Sequence, residues 1–275
     1  MSASTDQEYS ALVRVPVEKW HVEQKVCCDD DVAEEVPVAL EYNGISHAVM
    51  LASPDDLEDF ALGFSLSEGI LESWAELFDC DVVPTCDGLQ VRMRIAAKRF
   101  AALKDKRRSM TGRTGCGLCG AQTLAQAIRR PPPATGMATF TAQRIHDGMA
   151  AMKQRQRLQR HTGATHAAAW MTADGLIELV REDVGRHNAL DKLIGAMSSR
   201  RTDFTTGAAL ITSRASYEMV QKAATLGIGL LAAISAPTSL AIQLAEETNV
   251  TLVGFVRDQS HVIYAKPHRL ERDTQ

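Results

Sequence analysis

Leu57, Phe60, Ala61 and Phe64 recur at three- and four-residue intervals, the spacing that puts apolar side chains on one face of a helix. Ser53-Pro54-Asp55-Asp56 just before them carries helix-start chemistry: serine as cap, proline at the first position, acids in the first turn. Around this helix the period drops to two. Leu12 to Val22 reads as a strand. Glu35 to Tyr42 and Ile45 to Leu51 read as a hairpin closed by Asn43-Gly44, a pair suited to a tight turn. Leu89, Val91, Met93 and Ile95 alternate with polar residues, as in a half-exposed strand. A disordered tail over residues 1–10 and a small α+β domain over residues 11–108 are expected.

Later in the chain the pattern changes. After the stiff connector Pro131-Pro132-Pro133, one long helix is expected from Thr141 to Arg160. His166 to Met171, Ala173-Asp174-Gly175 and Leu176 to Arg181 read as a second hairpin. There follow a helix (Asn188 to Met197), a strand (Ala208 to Thr212), a helix (Tyr217 to Thr225) and a strand (Leu230 to Ser235). A helix (Ser239 to Glu247) and strands at Val250 to Val256 and His261 to Ala265 complete the series. Alternating strands and helices after a hairpin predict an α/β fold, a three-layer α/β/α domain over residues 109–275.

Composition narrows the picture. The 275 residues are 45% hydrophobic and 23% charged with a formal net charge of −4, which fits a soluble globular protein and argues against general nucleic-acid binding. Met1 to Ser10 lacks the apolar core of a secretory signal. Lys222 to Glu246 encloses 23 uncharged residues, long enough to test as a membrane span. Pro237 and the polar Ser235, Thr238, Ser239 and Gln243 divide that stretch into helix, short strand and helix, so no membrane partner is expected. The six cysteines are unevenly spaced, in keeping with a reduced, cytoplasmic protein. Basic residues cluster at Lys98, Arg99, Lys104, Lys106, Arg107, Arg108 and Arg113, and again at Lys153, Arg155, Arg157 and Arg160. Two readings stay open for them, solvated helix faces or an electropositive approach for an anionic ligand.

The chemistry centres on Thr111-Gly112-Arg113-Thr114-Gly115-Cys116-Gly117-Leu118-Cys119-Gly120. Four glycines make this a segment with little apolar surface to bury, so its gain is access for the two thiols. Helix-forming sequence follows at Ala121 to Ile128. A helix N-terminus and Arg113 both favour thiolate over thiol. Half of a zinc site is the alternative, and no second matching cysteine pair accompanies it. Three polar clusters occur where strands give way to helices: Asp183 to Asn188 with Arg186 and His187, Thr212 to Glu218 with Ser213 and Arg214, and Ser235 to Ser239 with Pro237 and Thr238. Ligands of open α/β sheets bind outside the carboxyl ends of the strands, and hydroxyls, arginines and helix starts suit phosphate there. Ordinary helix capping uses the same residue types.

Taken together, Thr114 to Gly120, Asp183 to Lys192, Thr212 to Lys222, Ser235 to Glu247 and Thr251 to Arg257 resemble the formate dehydrogenase accessory sulfurtransferases (FdhD type). The first half matches more loosely, chiefly through Phe60 to Phe64 and Glu68-Gly69. The resemblance implies a cytidine-deaminase-like α/β/α domain after a smaller N-terminal one, usually in a homodimer. It implies sulfur transfer from a cysteine desulfurase to the molybdenum bis(molybdopterin guanine dinucleotide) cofactor before insertion into formate dehydrogenase. The cofactor would be a bound substrate, a guanine nucleotide such as GDP would fit the same site, and no resident metal is expected. The persulfide-bearing cysteine maps onto Cys116, with Cys119 as its partner. The cofactor-contacting segment maps onto Phe255, Val256, Arg257, Asp258, Gln259 and Ser260, where Asp258 is an atypical charge beside a diphosphate. The Arg186, Arg214 and Arg257 clusters would hold phosphates. Competing readings are a cofactor-binding chaperone without turnover, a thioredoxin-like oxidoreductase and a zinc deaminase. The deaminase needs a His-x-Glu, for which only His21-Val22-Glu23 is available.

Overall fold

The computed structural model describes residues 9–111 and 130–271. The chain opens with a two-stranded antiparallel ribbon, β1 (Leu12–His21) and β2 (Gln24–Ala33), in register from Leu12 with Ala33 to His21 with Gln24. Cross-strand charge pairs line it, Arg14 with Asp31 at 3.3 Å and Lys19 with Asp30 at 3.0 Å. The expected hairpin follows as β3 (Val36–Tyr42) and β4 (Ile45–Ala52). Asn43 and Gly44 both have positive φ, 46° and 83°, as a turn matched to strand twist requires.

Helix α1 (Leu57–Ser67) begins at Leu57, capped by the backbone of Asp56 and not by Ser53. Ser53 serves the second half of the chain instead. Its N–H donates to Asp183 Oδ2 at 3.0 Å and its hydroxyl accepts from Val184 N at 3.2 Å. β5 (Leu77–Thr85) and β6 (Gly88–Ile95) complete a four-stranded sheet in the order β4-β3-β6-β5, with β3 and β6 parallel. Its inner residues Val38, Leu40, Tyr42, Val91 and Met93 are buried against α1. Helix α2 (Ala97–Thr111) follows.

After the short β7 (Phe140–Thr141), the expected long helix is two: α3 (Ala142–Arg155) and α4 (Arg157–Thr162), broken at Gln156. The hairpin β8 (His166–Thr172) and β9 (Ile177–Asp183) leads into α5 (Arg186–Ser199). β10 (Gly207–Ile211), α6 (Tyr217–Thr225), β11 (Leu230–Ala233), α7 (Ser239–Glu247), β12 (Thr251–Arg257) and β13 (Ser260–Ala265) follow. The two-residue β14 (Leu270–Glu271) pairs with β7. The six-stranded sheet has the order β13-β12-β11-β10-β8-β9, with β10, β11 and β12 mutually parallel.

Alternation along these strands builds the layers. Ala168, Trp170, Ala209, Ile211, Leu231 and Leu252 pack with residues of α5, α6 and α7, while Ala167, Ala169, Met171, Leu210, Ala232 and Val253 pack with α3. The result is an α/β fold with helices on both faces of the sheet. No helix of the described residues is long and apolar enough to cross a membrane.

Helix α1 joins the two sheets by crossing α5 at glycine contacts. A Cβ on Gly63 would fall 1.7 Å from the Asp191 carbonyl oxygen, and one on Gly195 would fall 1.8 Å from that of Asp59. Two buried ionic links reinforce this junction. Lys192 and Asp183, both fully buried, meet at 2.7 Å. Lys222 Nζ donates to Ser67 Oγ, Glu68 Oε1 and Asp191 Oδ2 at 2.9–3.0 Å. Much of the sequence-distinctive Asp183 to Lys192 stretch thus fastens α1 to the larger sheet.

Candidate functional site

β9, β10, β11 and β12 run in the same direction, so the segments following each of them emerge at one edge of the six-stranded sheet. Asp183 to His187, Thr212 to Ser216 and Ser235 to Thr238, the three polar clusters of the sequence, therefore converge, and the end of β12 with the turn after it (Phe255 to Ser260) joins them. Pro237 bridges Ala215, and Thr238 N donates to Ala215 O at 3.1 Å, locking two of these segments together. The sheet edge then divides the candidates between its two faces.

On the face carrying α3 lies a cavity of about 1090 Å³. Val256, Arg257, Asp258 and Gln259 line it from β12 and its turn. Phe255 to Arg257 stay within β12, so only Asp258 and Gln259 form the turn, with φ of 51° and 57°. Phe255 also has a positive φ, 54°, at an irregularity in the β12–β13 pairing, and the Arg257 guanidinium stands 5.4 Å from its ring. Left-handed backbone at a bulky aromatic is strained, and such strain concentrates at functional positions.

The opposite wall comes from α3 and α4. Of the basic run there, Lys153 and Arg160 line the cavity. Arg157 pairs with Asp55 at 3.1 Å, and Arg155 donates to the Ile177 and Glu178 carbonyls. Lys153, Arg160 and Arg257 against Asp258 leave the lining net cationic, which suits an anion. His146 and His166 also line it. Burial lowers the pKa of both, reinforced at His146 by His261 (Nε2 to Nδ1, 3.2 Å) and at His166 by Arg186. Both are held neutral at pH 7 and offer one donor and one acceptor each. The helix break at Gln156 that shapes this wall has no proline or glycine to signal it in sequence.

Arg186, His187, Ser213, Arg214, Pro237 and Thr238 are absent from the cavity lining and belong to segments around α5, α6 and α7 on the other face. Thr238 caps α7, its hydroxyl accepting from Ala241 N at 3.3 Å. Ser213 Oγ donates to the Arg214 carbonyl. Arg186 Nε, His187 Nε2 and Ser216 Oγ are the buried side-chain atoms of the described residues that lack a hydrogen-bond partner. His187 Nε2 is not without company, since Glu218 Oε2 lies 2.7 Å from it. Burial lowers the His187 pKa, with Glu218 opposing. Orphaned polar atoms at the starts of two helices suit a further anionic group.

Cys116 and Cys119 lie outside the described residues. Of the other thiols, Cys27, Cys28, Cys80 and Cys86 are free, and Cys27 and Cys86 are exposed. Burial and nearby acids push the Cys80 thiol up to about 12, leaving it little thiolate. His21 closes β1 at the ribbon turn, on a different sheet from the site. Among the described residues no cluster of three or more histidine, cysteine or acidic side chains is placed to hold a metal.

Comparison with known proteins agrees on one family. Residues 33–271 match the FdhD/NarQ family. The sulfur carrier protein FdhD of Cupriavidus necator is 54% identical over 272 residues, covering 99% of this chain and 94% of that protein. The protein of the same name from Bordetella petrii is 56% identical over 241 residues, 88% of this chain and 87% of that one. A crystal structure from Desulfotalea psychrophila, of a protein assigned as a formate dehydrogenase accessory protein, shares the fold. Its TM-score is 0.74 at 21% identity, covering 95% of this chain and 100% of that one.

Proposed function

The chain belongs to the FdhD/NarQ family, and on that premise we propose that it is a sulfur carrier for formate dehydrogenase, with Cys116 as the carrying thiol. The Cys116 thiolate attacks the outer sulfur of a persulfide on a cysteine desulfurase. A bond forms between Cys116 Sγ and that sulfur, the donor's S–S bond breaks, and the donor leaves as a thiolate. The loaded persulfide would then pass its terminal sulfur to the molybdenum bis(molybdopterin guanine dinucleotide) cofactor, bound as a substrate before it reaches the dehydrogenase: the Cys116 Sγ–S bond breaks, Cys116 leaves as a thiolate, and a reduced cofactor metal would supply the two electrons that take the sulfur to the sulfide level. The metal chemistry stays with the cofactor.

The observation that carries the acceptor side is the cationic lining of the cavity, where Lys153 and Arg160 face the Arg257 segment. Exposed cations around a partly apolar recess fit a nucleotide diphosphate with a planar base. The unpaired Arg186 Nε and Ser216 Oγ favour a second anionic part of the same ligand at the other face of the edge. Replacing Cys116 by serine in cells that depend on this protein is expected to abolish formate dehydrogenase activity. Retained activity would overturn the assignment. Cys119→Ala tests the second thiol: undiminished sulfur delivery would limit it to a supporting role.

A further inference from the structure

The β1–β2 ribbon is fixed at its base and bare at its tip. It forms a sheet of its own and rests on α4, where Asp31 Oδ2 lies 3.6 Å from His161 Nδ1. Glu34 N closes the base by donating to Ala11 O at 3.0 Å. At the other end Trp20 is 63% exposed, Val22 89% and Val26 58%. Trp20 stands opposite Lys25 on one face of the ribbon, and Val26 stands opposite Lys19 on the other. Val22 sits at the turn between them, so the tip is apolar on both faces and at its end. Val22 also breaks two rules at once. Its φ is 57°, a left-handed conformation that glycine or asparagine adopts readily and a β-branched residue does not. It also holds its apolar side chain in water, so burial within the chain offsets neither cost. Local rules broken together in this way mark positions kept for function.

We propose that this tip is a docking prong that seats in an apolar cleft of the protein donating sulfur, with Trp20 and Val22 as its anchors. The inference rests on the sulfur-carrier reading given above. In that reading the donor is a protein and the acceptor a small-molecule cofactor, so an element shaped for a protein cleft serves the donor side. Shape and charge agree with a cleft. A flat surface would cover one face of the ribbon and leave either Trp20 or Val26 in water. Glu18, Lys19, Glu23 and Lys25 leave residues 18–26 with no net charge, and Lys25 pairs with Glu18 while Lys19 pairs with Asp30 at 3.0 Å. A neutral apolar prong complements an uncharged protein pocket and has no pull towards an anionic membrane or a nucleic acid.

Calorimetric titration of the full-length protein with a cysteine desulfurase tests this. Trp20→Ser is expected to weaken binding about thirtyfold and Val22→Asn about tenfold. Val22→Asn relieves the backbone strain, so hydrogen exchange of the ribbon amides is expected to slow about fivefold even as binding weakens. Those opposite signs separate docking from support of the fold. At saturating desulfurase both variants should still gain one sulfur, which reports that each is folded. Affinity within about twofold of the unsubstituted protein in both variants would overturn the docking role alone. Faster ribbon exchange in Val22→Asn would overturn it too, by showing that the valine supports the ribbon itself. Binding to vesicles of phosphatidylcholine and phosphatidylglycerol that is lost in Trp20→Ser would assign the tip to lipid and overturn the protein cleft. Failure of the unsubstituted protein to bind the desulfurase or take sulfur from it would overturn the sulfur-carrier reading itself.

Discussion

Replacing Gly63 by alanine places one methyl group in the crossing of α1 and α5. The new Cβ would lie 1.7 Å from the Asp191 carbonyl oxygen and 2.8 Å from the Gly195 nitrogen. Carbon and oxygen pack at about 3.3 Å, so the helices must separate locally by about 1.6 Å. Both obstacles are backbone, and neither can rotate aside. A gap of that size forfeits much of the dispersion energy between the helices and strains the buried link of Ser67 and Asp191 to Lys222. Overpacking of this kind costs about 3 kcal/mol, and alanine's helix preference returns about 1 kcal/mol. The net loss of about 2 kcal/mol corresponds to a fall in Tm of about 4–8 °C for a chain of this size. Gly163→Ala is the control. Gly163 has φ of 67° with nothing within 4 Å of an added Cβ. It should lose only about 1 kcal/mol of backbone strain. Thermal unfolding by circular dichroism compares the two. A Gly63→Ala protein at least as stable as Gly163→Ala would refute the close-crossing argument.

Three further outcomes follow from the same structure. Lys192→Met leaves the Asp183 carboxylate buried without its cation, so the urea midpoint should fall by an amount equivalent to about 3–5 kcal/mol; an unchanged midpoint would contradict the burial of that pair. Asp258→Asn removes the acid from the cavity rim and puts a residue tolerant of left-handed backbone at φ 51°, so GDP titration should show binding tightened about threefold, and weaker binding would speak against a phosphate near that turn. His146, His166 and His187 have pKa values lowered by burial, so below the ordinary 6.5 the unfolded chain takes up more protons than the folded one. Their contribution is fully present above pH 6.5 and is lost as the pH falls through the lowered values; Tm measured from pH 7 to pH 5 should fall, and His146→Gln should flatten part of that slope.

Where local pattern and final packing agree, the sequence is a sufficient guide. The Asn43-Gly44 hairpin, the helices Tyr217–Thr225 and Ser239–Glu247, and the strand at Leu89 to Ile95 are found where periodicity puts them. β2 is not legible this way. Asp29, Asp30 and Asp31 lie in a strand of a solvated ribbon, where cross-strand pairs with Arg14 and Lys19 replace a buried apolar face. β5 hides for a similar reason, with Asp79, Cys80 and Asp81 on an edge strand. At the site, the convergence of the three polar clusters on one sheet edge follows from strand–helix alternation. Which face each segment serves does not, because that depends on a sheet order no local pattern encodes. The α3–α4 wall was half visible as a basic run, and only packing separates Lys153 and Arg160, which line the cavity, from Arg155 and Arg157, which do not. Ser53 shows the converse: its cap-like position is spent on a tertiary contact with Asp183.

Intact-mass spectrometry of the full-length protein after incubation with a cysteine desulfurase and cysteine addresses sulfur carriage most directly. The protein should gain about 32 Da, one sulfur atom, removable by a thiol reductant and mapping to the Cys116 peptide. Cys116→Ser should gain nothing. A sulfur adduct that persists in Cys116→Ser, or that maps to the exposed Cys27 or Cys86, would contradict the account.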